Sequence, residues 1–548
     1  MTANTTHSAP QRRGGAHVAP PAEVATPSKG RMYVILTGVM LAMLLALLDN
    51  MIVNTALPRI VGDLGGLSHL SWVVTAYVLA STVATPIWGK LGDLYSRKAM
   101  FIASIVLFLA GSVLSGAAQS MTELIAFRAF QGLGGGGLMV GAMSIMGAMV
   151  SPRERGKYQG LMAAVMPLAM IGGPLLGGFI TDNLDWRWVF YVNIPVGIVA
   201  LIVVVLTLKL PKSTIKASID YLGVAVLSVG ITALVLLTTW GGTEYAWDSW
   251  QIVGLGILAV VSLVGFVFVE RRAVEPIMPM SLFRNRNFAV ASVLGFLVGF
   301  AMFGATTFLP QYQQLVQGDS ATASGLALIP LMLSSVVVGL IVGQITTRTG
   351  RYRAFPIIGG ALMTLGMIAL AQLTVSTTHT VSSLLMIPLG LGMGFLMQTT
   401  MLITQNSVSV RDMGVASSAA TFFRQIGGSI GVSLFGAIFS SRLTASLTSS
   451  LGSAAAEKMT SGGARMSPSV VSHLPVAVHT AYSSAVVDAL QTVFWWAVPI
   501  TAVAFAVAWF VKEIPLRGGD TPPATPNASP AKVEIVKQRQ PVEALVSE

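Results

Sequence analysis

The stretch LLALLDNMIVNTALP at residues 44–58 sets Asp49 in the middle of an apolar run. A carboxylate at that depth of a membrane helix costs about 2.5–3.5 kcal/mol, so it must either neutralise a fixed cation or carry out proton chemistry. Burial favours the protonated carboxyl and a nearby cation favours the carboxylate. An acid whose surroundings alternate can therefore take up and release a proton. The candidate cation is Arg128, in TELIAFRAFQGLGGGG. At 1.5 Å per residue, Asp49 lies about 12 Å and Arg128 about 6–9 Å inside the outer ends of their expected helices, so their depths are similar. A second reading of Arg128 has it snorkel outward to Glu123.

Two more clusters carry chemistry by type and spacing. GKLGDLYSRK at 89–98 crowds Asp93, Arg97 and Lys98 behind Gly89, and such a loop can make or break ion pairs as helices move. GGPLLGG at 172–178 offers Gly173, Pro174, Gly177 and Gly178, a set that either kinks a helix or lets two helices approach closely. Other chemistries find no support. The chain has no Cys for thiolate or disulfide chemistry, and its six His fall in expected tails and loops. Gly132, Gly134 and Gly137 satisfy GxGxxG, but inside an apolar run with no preceding strand. There is no P-loop, so an ion gradient, with protons as the coupling ion, is the expected energy source. No cofactor and no metal are expected.

The elements that hold these residues follow from composition. With 53% hydrophobic and 10% charged residues and a mean hydropathy of +0.74, the chain reads as an all-α membrane protein. Fourteen apolar runs are long enough to span a bilayer: 33–57, 70–88, 100–118, 124–149, 160–181, 188–209, 221–239, 251–269, 288–310, 323–347, 355–373, 383–404, 414–440 and 491–512. On the first, Gly38, Ala42, Ala46, Asp49 and Ala56 share a face suited to packing, which turns Asp49 inward. Lys and Arg cluster on alternate loops (Lys90/Arg97/Lys98, Arg153/Arg155/Lys157, Arg271/Arg272/Arg284/Arg286), which sets the amino terminus in the cytoplasm. The net charge of +11 is thus a topology signal, and no nucleic-acid partner is expected.

An internal repeat is also legible. Gly89 and Arg97 have counterparts in Gly343 and Arg351, and GLG at 132–134 is answered by GLG at 390–392. The expected plan is a disordered cytoplasmic tail at 1–32, a six-helix half at 33–209 and a two-helix insert with flanking loops at 210–287. A second half follows at 288–512 with an extracytoplasmic loop at 441–487, then a disordered cytoplasmic tail at 513–548.

Taken together, the motifs resemble the major facilitator superfamily, specifically its fourteen-span drug:proton antiporters of the EmrB/QacA type. LDNMIVNTALP is similar to the family's first-helix motif, GKLGDLYSRK to its loop between helices two and three, AFRAFQGLGGG to its fourth-helix motif and GGPLLGG to its antiporter motif. WRWVFYVNIPVG and FFRQIGGSIG are also typical of this branch. The resemblance implies a major facilitator fold of 6+2+6 helices and a role for Arg128 in proton transfer beside Asp49. It implies a conformational latch at Gly89, Asp93 and Arg97, and an export marker in Gly173, Pro174, Gly177 and Gly178. Departures are Ser96 and Pro167, each where the family has Gly, and Thr347, where the second half would carry the acid.

The expected function is secondary active transport rather than enzymology: proton-coupled efflux of amphipathic small molecules, multidrug or antibiotic, by a monomer in the lipid bilayer of a bacterial inner membrane with both termini cytoplasmic. A dedicated exporter of one metabolite or siderophore is the alternative. Trp72, Tyr77, Phe303, Phe308, Tyr312, Met393, Met397 and Met401 either line an adaptable cavity or simply pack.

Overall fold

The computed structural model describes residues 29–64, 70–150, 152–208, 220–242, 244–460 and 475–516. Both expected tails fall outside these residues, except that residues 29–32 are helical and 513–516 follow the last helix without regular structure. The stretch 461–474 of the expected loop 441–487 also lies outside them.

The first half is built from α1 (Lys29–Leu64), α2 (Leu70–Leu94), α3 (Arg97–Ala117), α4 (Met121–Met149), α5 (Pro152–Ala163), α6 (Val165–Asn183), α7 (Trp188–Tyr191) and α8 (Asn193–Thr207). Next come α9 (Tyr221–Trp240) and α10 (Trp250–Glu270). The second half holds α11 (Arg286–Leu315), α12 (Ala321–Leu326), α13 (Ile329–Thr349), α14 (Ala354–Leu370), α15 (His379–Asn406), α16 (Met413–Leu451), α17 (Ser453–Thr460) and α18 (Val476–Ala508). Helix starts follow local sequence. Ser96, Ser120, Asp220, Ser249, Asn285, Ser320 and Thr378 each accept a backbone N–H from the first turn of the helix they precede.

Among the described residues, twelve helices are long and apolar enough to cross a membrane, and two shorter apolar ones, Leu168–Thr181 and Ala354–Leu370, stand where the fifth and eleventh spans are expected. The first expected span lengthens to Lys29–Leu64, the sixth and tenth are each interrupted, between α7 and α8 and between α12 and α13, and three further changes stand out. The fifth span breaks at Ala164, between α5 and α6, because Pro167 has no N–H to donate to the Ala163 carbonyl. The thirteenth, expected at 414–440, runs as helix to Leu451, since Leu443 and Leu447 carry the buried stripe one and two turns past Phe439. The last, expected at 491–512, begins at Val476 and ends at Ala508.

The two halves repeat one packing scheme. On α4, Gly132 and Gly136 lie against the backbone of Tyr77 and Ser81 on α2, while Gly134 lies against Phe108 on α3. On α15, Gly390 and Gly394 lie against Leu331 and Ser335 on α13, while Gly392 lies against Met363 on α14. The glycines correspond at an offset of 258 and their α2/α13 partners at 254, so the repeat seen in sequence is also a repeat of contacts. Helices α9 and α10 pack on each other, and α9 also touches α2 of one half and α16 of the other. There the Trp72 and Trp240 rings meet edge to face, and Ser433 Oγ donates to the Thr238 carbonyl.

Candidate functional site

Asp49 lies on the inner face of α1 with Ala42, Ala46 and Ala56, all buried, and is itself wholly inaccessible. Its Oδ2 accepts from Arg128 Nη1 at 2.5 Å, so the expected pairing of the first and fourth spans is present. Its Oδ1 accepts from Gln131 Nε2 and from Asn193 Nδ2, each at 2.8 Å. The acid thus ties α1 to α4 and α8. Three donors on one carboxylate offset part of the cost of burying it.

Arg128 is equally inaccessible. Besides Asp49 it donates to Gln131 Oε1 at 2.7 Å, the Val73 carbonyl at 3.3 Å and Asn50 Oδ1 at 3.4 Å, and its guanidinium lies 4.3 Å from the Tyr77 ring centroid. The snorkelling reading is therefore set aside. Glu123 instead accepts from the Gln119 N–H at the start of α4. Of the cluster, only Asn50 is partly open to solvent. Gln131, Asn193 and Tyr77 as partners were not singled out by the sequence. Gln131 follows Arg128 by three residues, one helical turn, which is a usable signal; Asn193, 144 residues beyond Asp49, has none.

A second constellation occupies the end of the bundle where α2 meets α3. Asp93 Oδ1 accepts from Arg97 Nη2 at 2.7 Å and Nε at 3.1 Å, the expected pair. The carboxylate also accepts the backbone N–H of Gly414 at 3.0 Å and of Val415 at 2.8 Å, the unpaired donors of the first turn of α16. Gly89 makes this approach possible, because a Cβ there would strike Ser418 and the Gly414 carbonyl. The cluster therefore joins the two halves, which the loop's own sequence does not reveal. Beside it Glu275, in the segment between α10 and α11, bridges Lys90 at 2.9 Å and Arg411 at 3.6 Å. The Lys90 contact, then both cations together, hold this carboxyl below the usual range. A cavity of about 310 Å³ opens among Lys90, Asp93, Glu275 and Arg411.

The third constellation is a contact surface. A Cβ at Gly173 would overlap Met51, and one at Gly177 would press on Ile52 and Thr55, so these two glycines seat α6 on α1 just beyond Asp49. Gly178 does not take part, since a Cβ there would meet nothing within 4 Å. Helix α6 continues unbroken through Pro174, so the interruption lies near Pro167 instead. Of the residues weighed as cavity lining, Tyr77, Phe308, Tyr312, Met393 and Met401 are buried in packing.

Residues 39–432 match the family model described as Major Facilitator Superfamily. The chain belongs to that superfamily. It is 43% identical over 403 residues to the Multidrug transporter protein MdtP of Bacillus subtilis (strain 168), covering 74% of each chain. It is 42% identical over 486 residues to an uncharacterized MFS-type transporter of Mycobacterium tuberculosis (strain ATCC 25618 / H37Rv), covering 89% of this chain and 70% of that one. The crystal structure of the human organic anion transporter MFSD10 superposes with a TM-score of 0.59 at 12% identity, covering 88% of this chain and all of that one, a likeness of fold alone. This Major Facilitator Superfamily member is a membrane transporter, not an enzyme.

Proposed function

We propose that this transporter is a proton-coupled exporter of amphipathic small molecules, of the fourteen-span drug:proton antiporter type, working by alternating access in a bacterial inner membrane. The 6+2+6 plan, with the two shorter apolar helices counted as spans and the basic ends and termini cytoplasmic, belongs to this reading, as does function as a monomer. The observation that carries it is the Asp49–Arg128 pair, sealed from solvent between α1 and α4. Protonation of Asp49 would leave the Arg128 charge buried without its counter-ion, a state costly enough to drive rearrangement of the helices that hold it. Asp93 on the α16 amino terminus is the latch between halves, and Gly173 and Gly177 keep α6 close to α1. One proton crossing about 100 mV releases roughly 2.3 kcal/mol, and tenfold accumulation costs about 1.4, so one net charge supports a gradient of about fortyfold.

The test is substrate-induced proton release from purified protein in weak buffer, using a panel of amphipathic dyes and antibiotics. Release is expected from the wild type and not from Asp49→Asn, which keeps the shape but cannot titrate. Equal release from both would assign coupling elsewhere and leave Asp49 as a structural partner of Arg128.

A further inference from the structure

Arg424 is the charge that the coupling cluster and the latch leave unexplained. It lies eleven residues into α16, about 16 Å from that helix's start, too deep for its side chain to reach the membrane surface. The other charges of these constellations have partners: Asp49 with Arg128, Asp93 with Arg97, Lys90 with Glu275. Among the described residues, the Arg424 side chain has no hydrogen bond, ion pair or ring contact.

Its helix face shows that it does not look into lipid. Ser417, Thr421, Gly428 and Gly431 share that face one and two turns away, and all four are buried. Ser417 accepts from Gln405 on α15, and the two glycines pack on Phe303 and Phe300 of α11. Arg424 itself is only partly buried. A guanidinium has five donors and no acceptor and stays charged, and its insertion cost at this depth is not repaid within the described chain.

We infer that Arg424 binds the anionic group of the transported molecule, a carboxylate, sulfonate or phosphate on an amphipathic body. Planar guanidinium geometry favours a bidentate pair with such a group. This deepens the export reading above and rests on it for the word transported; the binding itself needs no gradient and no titration of Asp49, so the two can fail separately.

The probes are dansylglycine and its methyl ester, titrated by fluorescence into purified protein, with thermal melting as a fold control. The wild type is expected to bind the acid at least about tenfold more tightly than the ester, equivalent to about 1.4 kcal/mol. Arg424→Gln should lose that preference while binding the ester as before, and Arg424→Lys, which keeps the charge but not the planar fork, should keep only part of it. No acid preference in the wild type, or no binding of the acid at millimolar concentration, overturns the inference without any variant. So does an Arg424→Gln protein that retains the preference. Repeating the titration in nanodiscs at high salt, which screens the bilayer's own charge, separates a lipid source: loss of acid binding in phosphatidylglycerol but not in zwitterionic phosphatidylcholine would give Arg424 to an anionic lipid headgroup and overturn a soluble ligand.

Discussion

At the scale of single residues, Asn193 separates holding Asp49 in place from the proton chemistry proposed for it. Its Nδ2 donates both to Asp49 Oδ1 and to Ser112 Oγ, at 2.8 and 3.0 Å. Asn193→Leu leaves two buried acceptors with one donor fewer, a loss of about 1–3 kcal/mol in such surroundings. A lowered melting temperature in detergent is expected, with substrate-induced proton release retained because Asp49 can still titrate. Loss of release with an unchanged melting temperature would instead place Asn193 in the proton path itself. The pair at the centre of this site was legible because a charge in an apolar run is conspicuous and depth along a helix can be counted. Its further partners were not, since Asn and Tyr are common in such spans and a contact across 144 residues leaves no local trace.

At the scale of elements, the glycines of GGPLLGG divide by what stands opposite them. Gly173→Ala would drive a methyl into Met51, whose backbone lies in the α1 turn that follows Asp49, whereas Gly178→Ala would add a methyl in open space. The first should cut transport severalfold at unchanged expression, through an overpacking cost of about 1–3 kcal/mol. The second should transport as the wild type does. Equal effects in a vesicle efflux assay would mean that the α1–α6 contact is not what the motif provides. From sequence these glycines formed one group, because the motif shows spacing but not the facing helix. The same limit explains the fifth span. Pro174 sits inside the motif and drew attention, yet the interruption falls at Ala164, where Pro167 withdraws a donor. It explains the long α16 too, whose Ser- and Thr-rich turns lower its apolar signal while Leu443 and Leu447 continue the packed stripe.

For the whole molecule, what matters is how the two halves are held at one end. Glu275 belongs to neither half's helices, yet it pairs with Lys90 of one and Arg411 of the other, a brace that no motif announces. Its carboxyl is held below the usual range chiefly by Lys90, so the brace is fully present above the unfolded value near 4.3 and is lost only as pH falls through the lower folded value. Labelling of a Cys at Ser418, in a chain that has no other Cys, normalised at each pH to a small-thiol control because only the thiolate reacts, should therefore keep one ratio between the wild type and Glu275→Gln from about pH 8 to pH 5. Glu275→Gln should raise labelling by about 1.4- to 5-fold, matching the 0.2–1 kcal/mol of an exposed pair. No change in that variant would reduce Glu275 to surface decoration. The Asp93 contact beside it has another consequence. Its donating side is two peptide N–H groups, of Gly414 and Val415, and a peptide group is common to nearly every amino acid. Changes of side chain along the first turn of α16 can crowd this joint but cannot delete its donors, so simple loss-of-function changes in it should accumulate on the Asp93 side. Proline is the exception, and the first turn of a helix is where proline is tolerated. Val415→Pro should remove one donor while leaving α16 folded, and it should loosen the halves in the same direction as Asp93→Asn, which is expected to weaken the acceptor; a variant that transports and labels like the wild type would show that the joint does not depend on that bond.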